Sequence, residues 1–386
     1  MIFVAKKPSS HKKLVSLSIT IFFFKRKNMK YNRIAIKIGS NVLTKSDGTL
    51  DILRMESLVE QIATLYHKGV EIILISSGAV ANGRDVLKLD KKLDSVSARQ
   101  VFSAVGQARL INRYYDLFAK HNIVCGQVLT TKESLSTRQF YLNQKNCISE
   151  MLACGVIPIV NENDTISVTE LMFTDNDELS GLIATMMKMQ ALIILSNIDG
   201  IYTGDPSDPK NEVIREILPE KNLSQYIQTN KSSFGRGGML TKCNIARKVA
   251  DEGICVIIAN GKKDNILPDL LNETKNVVCS TFIPNSKETT NIKKWIAHSQ
   301  GFTKGEVYIN EGASNALLNS HCSSLLFVGI TKINGDFEKG DIVKIFNHEG
   351  KELGVGKAQF SNKKAQQHIG KHGLKPFIHY DYMYLE

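Results

Sequence analysis

The chain contains no C-x-x-C pair. Its seven cysteines are odd in number and scattered. That excludes a zinc ribbon or a disulfide-stapled scaffold and points to reduced thiols in a cytoplasmic protein. A membrane span is lacking too. The longest apolar run, Leu14–Phe24, is too short to cross a bilayer. Its basic flanks resemble those of a signal-peptide core, yet "KRKNMK" offers no small-residue cleavage site. The expectation is that Met29 starts the native chain and that residues 1–28 are an extension. Acid is also missing at that end: residues 1–30 carry eight Lys/Arg and no Asp/Glu. The net charge of +11 is therefore concentrated there, and the remainder holds 41 basic against 38 acidic residues. Such a balance gives no general support to a nucleic-acid or anionic-membrane partner. Finally, there is no G-x-x-x-x-G-K-[ST], which excludes a P-loop.

What is present suits a globular α/β chain of two domains, or of one large domain plus a module, with 386 residues and 42% hydrophobic content. "RIAIKIGS" (33–40) reads as a strand meeting a glycine turn. "DILRMESLVEQIATLYHKG" (51–69) reads as a helix capped by Asp51 and ended by Gly69, with Met55, Leu58, Val59, Ile62, Leu65 and Tyr66 on one face. The strand "VEIILIS" and the small-residue turn "SGAVANG" follow. Residues 95–119 read as helix, 122–130 as strand, 136–155 as helix and "VIPIV" as strand. A helix near 177–189, the strand "ALIILS" (191–196), a long polar stretch, a helix near 239–252 and the strand "ICVIIA" (254–259) complete the alternation. Near-continuous apolar strands between helices predict a three-layer sandwich around a mainly parallel sheet, whose ligands bind beyond the strands' carboxyl ends. After about residue 300 the pattern changes to short strands and glycine turns, behind the linker-like "NSKETTN". The predicted divisions are an α/β domain at 29–285, a linker at 286–299 and a small β-rich domain at 300–386.

Several residues at the predicted strand ends carry chemistry. Lys37 stands inside an apolar strand just before Gly39. "SSGAV" (76–80) ends the second strand, and "GRGGMLTK" (235–242) opens a helix with Lys242 in its first turn. Exposed backbone N–H groups, a helix N-terminus and a lysine together attract phosphate. Each turn alone is equally well an ordinary loop, and Lys37 alone a lysine reaching for water; three on one sheet edge argue for a site. "NENDTISVTELMFTDND" (161–177) adds a concentration of carboxylates and amides after the strand "GVIPIV".

"IAIKIGSNVLT", "ILISSGAVANG", "AVGQARL", "PIVNENDTIS", "DNDELSGLIA" and "GGMLTK" occur in the order that resembles the glutamate 5-kinases of the amino-acid kinase family. The resemblance covers about residues 31–283, and the tail is similar to a PUA domain. It implies the amino-acid kinase fold, ATP-dependent phosphorylation of the side-chain carboxylate of L-glutamate as the first step of proline biosynthesis, and proline as feedback inhibitor. It assigns phosphoryl-transfer roles to Lys37, Lys242 and Asp175, and glutamate contacts to Ser77, Gly78, Asp164 and Asn176. Lys37, Gly39, Ser196, Asn197, Arg236, Gly237, Gly238, Met239, Leu240, Thr241 and Lys242 fall on the nucleotide side. Asp175 and Asp177, which flank Asn176, either fix the two lysines or reach Mg²⁺ through water; no residue is assigned as a direct metal ligand.

The sequence departs from the family pattern at Ser196 and Asn197, where many relatives have Thr-Asp, at Arg236 and Leu240, where smaller polar residues are usual, and at Met172, where some carry lysine. The segment 84–100 falls where the family has a loop over the glutamate site, the expected place for proline control. A homo-oligomer and a hand-off of product to glutamate-5-semialdehyde dehydrogenase are further expectations. Two kinases of the same fold compete: acetylglutamate kinase, which would lack the tail, and aspartokinase, which would carry another regulatory domain. A third class, RNA binding through the tail, rests on the acid-free run of Lys357, Lys363, Lys364, Lys371 and Lys375. It is opposed by the tail's ten basic against nine acidic residues over 301–386.

Overall fold

The computed structural model describes residues 29–87, 94–132, 135, 138–166, 176–219, 239–272, 274–285, 303–319 and 323–385. The expected extension 1–28 and linker 286–299 lie outside these residues. Along the first sheet the order is β1 (Arg33–Ile38), α1 (Ser40–Leu43), α2 (Ile52–His67), β2 (Glu71–Ser76), α3 (Ala79–Val86), α4 (Ser95–Ala119), β3 (Val124–Thr130), α5 (Arg138–Ala153) and β4 (Val156–Glu162). It continues with α6 (Asn176–Met186), β5 (Ala191–Ser196), β6 (Glu216–Ile217), α7 (Met239–Asp251), β7 (Cys255–Asn260), α8 (Ile266–Leu271) and β8 (Ser280–Phe282).

Eight strands form one sheet in the order β3-β4-β2-β1-β5-β7-β8-β6. All pairs are parallel except β7 with β8. Successive side chains on a strand point to opposite faces, so each buried strand feeds two cores. Ile34, Ile36 and Ile38 of β1 join one core with residues of α2, α4 and α8. Ala35 joins the other, with Leu179, Leu182 and Ile183 of α6 and Cys243, Ala246 and Val249 of α7. Lys37 follows the parity of Ala35, which aims it at α6 and α7. In register it aligns with Ile75 and Ile194 on the neighbouring strands, and Ile75 with Val160 beyond. Those three are core residues, so Lys37 is the charged member of an otherwise apolar row.

The helices begin and end for local reasons. Asp51 caps α2 by accepting from the Arg54 N–H at 3.1 Å. Met55, Leu58, Val59, Ile62 and Leu65 are buried from its inner face. Gly78 precedes α3 with φ +110°, a conformation that disfavours any side chain.

A second, five-stranded sheet has the order β10-β9-β11-β12-β13. Its strands are β9 (Gly305–Ile309), β10 (Ile330–Gly335), β11 (Ile342–Phe346), β12 (Glu352–Lys357) and β13 (Met383–Leu385), with helices α9 (Glu311–Asn319) and α10 (Asn362–Gln366). Here the sequence expectation needs correction, because "EGASNALL" is helix and not strand or turn. Asn310 accepts from the Ala313 N–H at 2.8 Å as a helix cap, and Ser314 and Leu317 are buried at a spacing of three, which suits a helix. Ile342 and Val355 of this sheet belong to the α6/α7 core of the first sheet. Among the described residues no helix is long and apolar enough to cross a membrane.

Candidate active site

The carboxyl ends of β1, β2, β4 and β5 gather the predicted residues. At their centre stands Asp177, in the first turn of α6 and fully buried. Its Oδ1 lies 2.6 Å from Lys37 Nζ, and its Oδ2 lies 3.0 Å from Lys242 Nζ on α7. Burial alone would raise the Asp177 carboxyl, but the two ammonium groups outweigh it and hold it down to about 2. Two cations thus share one buried carboxylate, one reaching it from the sheet and one from a helix. That leaves a focus of net positive charge where β1 ends, suited to a transferring phosphoryl group. The glycine turn sits beside it: Gly39 N–H donates to Leu195 O at 3.1 Å, pinning the end of β1 to β5.

A polar chain runs outward from this focus. Asn176 Nδ2 faces Ser77 Oγ at 3.0 Å, Asn161 Oδ1 at 3.0 Å and Ser76 O at 3.3 Å. Asn161 Nδ2 donates in turn to Gln107 Oε1 at 2.7 Å. Three residues further along the chain, Asp164 is buried and held from two sides. Arg99 Nε donates to its Oδ1 at 2.7 Å and Ser103 Oγ to its Oδ2 at 3.1 Å. Arg99 Nη2 also reaches Glu162 Oε2 at 3.2 Å.

On the other flank Ser196 ends β5 and is buried, while Asn197 is exposed. Behind them Asp199 accepts from Asn260 Nδ2 at 2.9 Å and pairs with Lys263 Nζ at 2.8 Å. Met239 and Thr241 are half-buried and Leu240 is exposed at the start of α7.

Lys37, Gly39, Ser77, Gly78, Asp164, Asn176, Ser196, Asn197 and the start of α7 therefore lie at the same end of the sheet. Asp175, Arg236, Gly237, Gly238 and Met172 lie outside the described residues, as does part of the segment 84–100. Asp177 fixes the two lysines, one of the two roles open to it from sequence. Arg99, Ser103 and Gln107 were not singled out, and Glu162 only as one of the carboxylates of 161–177. The signal was available: Arg99, Ser103 and Gln107 recur at a spacing of four, a polar stripe on one face of α4.

This arrangement defines a phosphotransferase built on the carboxyl edge of a parallel sheet, and the comparisons with known proteins give it a family. The model of the amino acid kinase family matches residues 32–260, and that of the PUA domain matches 305–377. A glutamate 5-kinase of Bacteroides thetaiotaomicron is 66% identical over 357 residues, which is 92% of this chain and 99% of that protein. One from Chlorobaculum tepidum is 49% identical, covering 92% and 98%. One from Thermoanaerobacter sp. is 37% identical, covering 91% and 94%. The chain belongs to the amino acid kinase family and, within it, to the glutamate 5-kinases, with a C-terminal PUA domain.

Proposed function

We propose that this enzyme transfers the γ-phosphoryl group of ATP to the γ-carboxylate of L-glutamate, the first step of proline biosynthesis. The observation that carries the reading is the pair of lysines on Asp177, with a cluster of amide and carboxylate side chains at the end of a strand two places away. The γ-carboxylate is ionised at neutral pH and needs no general base. One of its oxygens forms the new P–O bond as the bond from the γ-phosphorus to the β–γ bridging oxygen breaks, and ADP leaves with that electron pair. Lys37 and Lys242 neutralise the oxygens of the phosphoryl group in flight. Ser77 and Asn176 hold the acceptor carboxylate near them. Asp164 accepts from the substrate ammonium, a group that N-acetylglutamate lacks.

Mg²⁺ would supply further neutralisation on the triphosphate. Asp177 is committed to lysines and Asp164 to Arg99, and no cluster of three or more His, Cys, Asp or Glu is placed to hold a metal among the described residues. That donor set fits an ion carried by phosphate and water oxygens. Proline is proposed as a feedback inhibitor acting at the glutamate side, in a cytoplasmic homo-oligomer that passes its labile product to glutamate-5-semialdehyde dehydrogenase. The domain divisions at 285 and 300 belong to the same proposal. The balanced charge of the tail favours a structural or regulatory role over RNA binding.

The test is ATP- and Mg²⁺-dependent acyl phosphate formation, trapped with hydroxylamine, from glutamate, N-acetylglutamate and aspartate, with and without proline. Selective turnover of glutamate, reduced by proline, supports the reading. Preference for either of the other acids contradicts it.

A further inference from the structure

Arg99 touches neither lysine of the phosphoryl-transfer centre, yet its side chain is only 20% exposed and is held by two carboxylates. We infer that Arg99 and Asp164 form one subsite for the α-amino-acid end of the substrate, in which Asp164 takes the ammonium and Arg99 takes the α-carboxylate. The inference rests on the reading that glutamate is the acceptor and deepens it by assigning the group that recognises the second carboxylate.

The hydrogen-bond inventory supports the pairing. A guanidinium carries five N–H donors. Arg99 spends Nε on Asp164 and Nη2 on Asp164 and Glu162. Nη1 has no recorded partner among the described residues, so two N–H donors remain on a guanidinium that is mostly out of water. A carboxylate is the partner that suits such a fork. Asp164 retains capacity as well. Each of its oxygens accepts from one side chain, and a carboxylate offers about four acceptor sites. An ion pair presented side by side matches a zwitterion whose ammonium and carboxylate share one carbon, each charge facing its opposite.

Distance along the sheet agrees. Lys37 is the penultimate residue of β1, and Asp164 follows β4, with β2 between them. Two strand spacings are about 10 Å, which leaves room for an extended five-carbon diacid with its reacting end at β1 and its α-carbon at β4. Arg99 is held in this position by its helix. Ser103 and Gln107, one and two turns along α4, bond Asp164 and Asn161, so the same helix face sets all three contacts. Asp164 alone would accept any amine; the adjacent guanidinium demands that a carboxylate accompany it.

The test uses the full chain with Arg99→Met and Arg99→Lys. The KM and kcat for L-glutamate are measured together with the inhibition constant of 4-aminobutyrate, which is glutamate without its α-carboxylate. Loss of a charged hydrogen-bond pair predicts a KM for glutamate raised about 10–100-fold in Arg99→Met. The kcat stays within about threefold, because the contact is made equally in ground and transition states. The inhibition constant of 4-aminobutyrate should not change, since that molecule has nothing for Arg99 to hold. Arg99→Lys keeps the charge without the fork and should recover part of the KM, which also keeps the comparison readable if Arg99→Met fails to fold. An equal weakening of glutamate and 4-aminobutyrate in either variant would mean that Arg99 acts only by bracing Asp164, and would overturn the inference. An unchanged KM would overturn it too. Failure of the unmodified enzyme to phosphorylate glutamate would instead remove the reading beneath it.

Discussion

Lys37 Nζ and Asp177 Oδ1 lie 2.6 Å apart, and neither side chain is more than 5% exposed. Ion pairs this deep are poor stabilisers, because desolvation offsets their attraction and an apolar pair would often serve as well. Ile75 and Ile194, the row neighbours of Lys37, show what the sheet uses where only packing is required. A lysine in that row, with a second lysine brought to the same carboxylate, makes sense as a device for holding positive charge at a fixed point.

Removing the shared carboxylate should therefore hurt both stability and rate. Asp177→Asn leaves two buried ammonium groups without their counter-ion and is expected to cost about 3–5 kcal/mol. The sign of the pH dependence follows from the depressed carboxyl, about 2 against an ordinary 3.8. A lowered pKa contributes stability in full above the ordinary value, and the contribution is lost as pH falls from about 4 toward 2. Thermal unfolding should show a wide gap in Tm between the wild type and Asp177→Asn from pH 5 to 8, closing below pH 4. A gap that persists undiminished at pH 2 would contradict the ion-pair account.

Helix α4 carries its polar stripe to the site only because it lies close against α3. A Cβ added at Gly106 would fall 1.8 Å from Ala79 O, and one at Gly83 would fall 1.9 Å from Phe102 O. Both obstacles are backbone atoms, which do not yield cheaply. Gly106→Ala should destabilise by at least the 1–3 kcal/mol roughly typical of overpacking and should raise the KM for glutamate through Arg99, Ser103 and Gln107. Urea unfolding and steady-state kinetics on the same preparation check both halves.

Asn176 faces three acceptors with the two hydrogens of its amide, so it ties β2, β4 and α6 together. Asn176→Ala unties them beside the place proposed for the acceptor carboxylate. The expected result is a KM for glutamate raised about tenfold or more, the scale of one or two lost hydrogen bonds, with the KM for ATP unchanged. Initial-rate kinetics with each substrate varied separately would reveal the split.

Much of this was legible in the sequence, for identifiable reasons. The stripe Met55, Leu58, Val59, Ile62, Leu65 marks α2 because a helix buries one face. "ALIILS" marks β5 because a strand covered on both faces is apolar throughout. Lys37 and Ser77 stand at predicted strand ends, where a parallel sheet places its ligands, whereas Asp164 and Asn176 were nominated through the resemblance to the glutamate 5-kinases. Arg99 was not nominated: its value depends on a partner beyond another strand, and the sequence marks 95–119 only as a helix and 84–100 only as the expected place of proline control. The sequence left Asp177 two roles, fixing the lysines or reaching Mg²⁺ through water, and deciding between them needs the phase of α6, which begins at Asn176. Likewise α9 was missed because short Ala/Leu runs serve turns and helices alike, and its cap at Asn310 decides. The antiparallel pairing of β8 with β7 is set by chain return, which no local pattern encodes.

Surface ion pairs provide the contrast. Lys120 Nζ lies 2.6 Å from Glu56 Oε1, but the two side chains are 60% and 45% exposed. Solvent screens such a pair, and Lys120→Ala should change stability by less than about 1 kcal/mol with no change in kcat. Denaturant unfolding of this variant sets the scale against which Asp177→Asn is read.

The most direct test of the account is the rate of glutamyl phosphate formation in Lys37→Ala, Lys242→Ala and the double variant, at saturating ATP and glutamate. Two cations acting on one phosphoryl group through one carboxylate predict that each single loss lowers kcat by about a hundredfold or more. The double variant should fall well short of the product of the two, as expected for residues that work as a unit. A kcat within threefold of the wild type in either single variant, with only the KM for ATP altered, would show that the lysine binds nucleotide without serving the transfer, and would contradict the account.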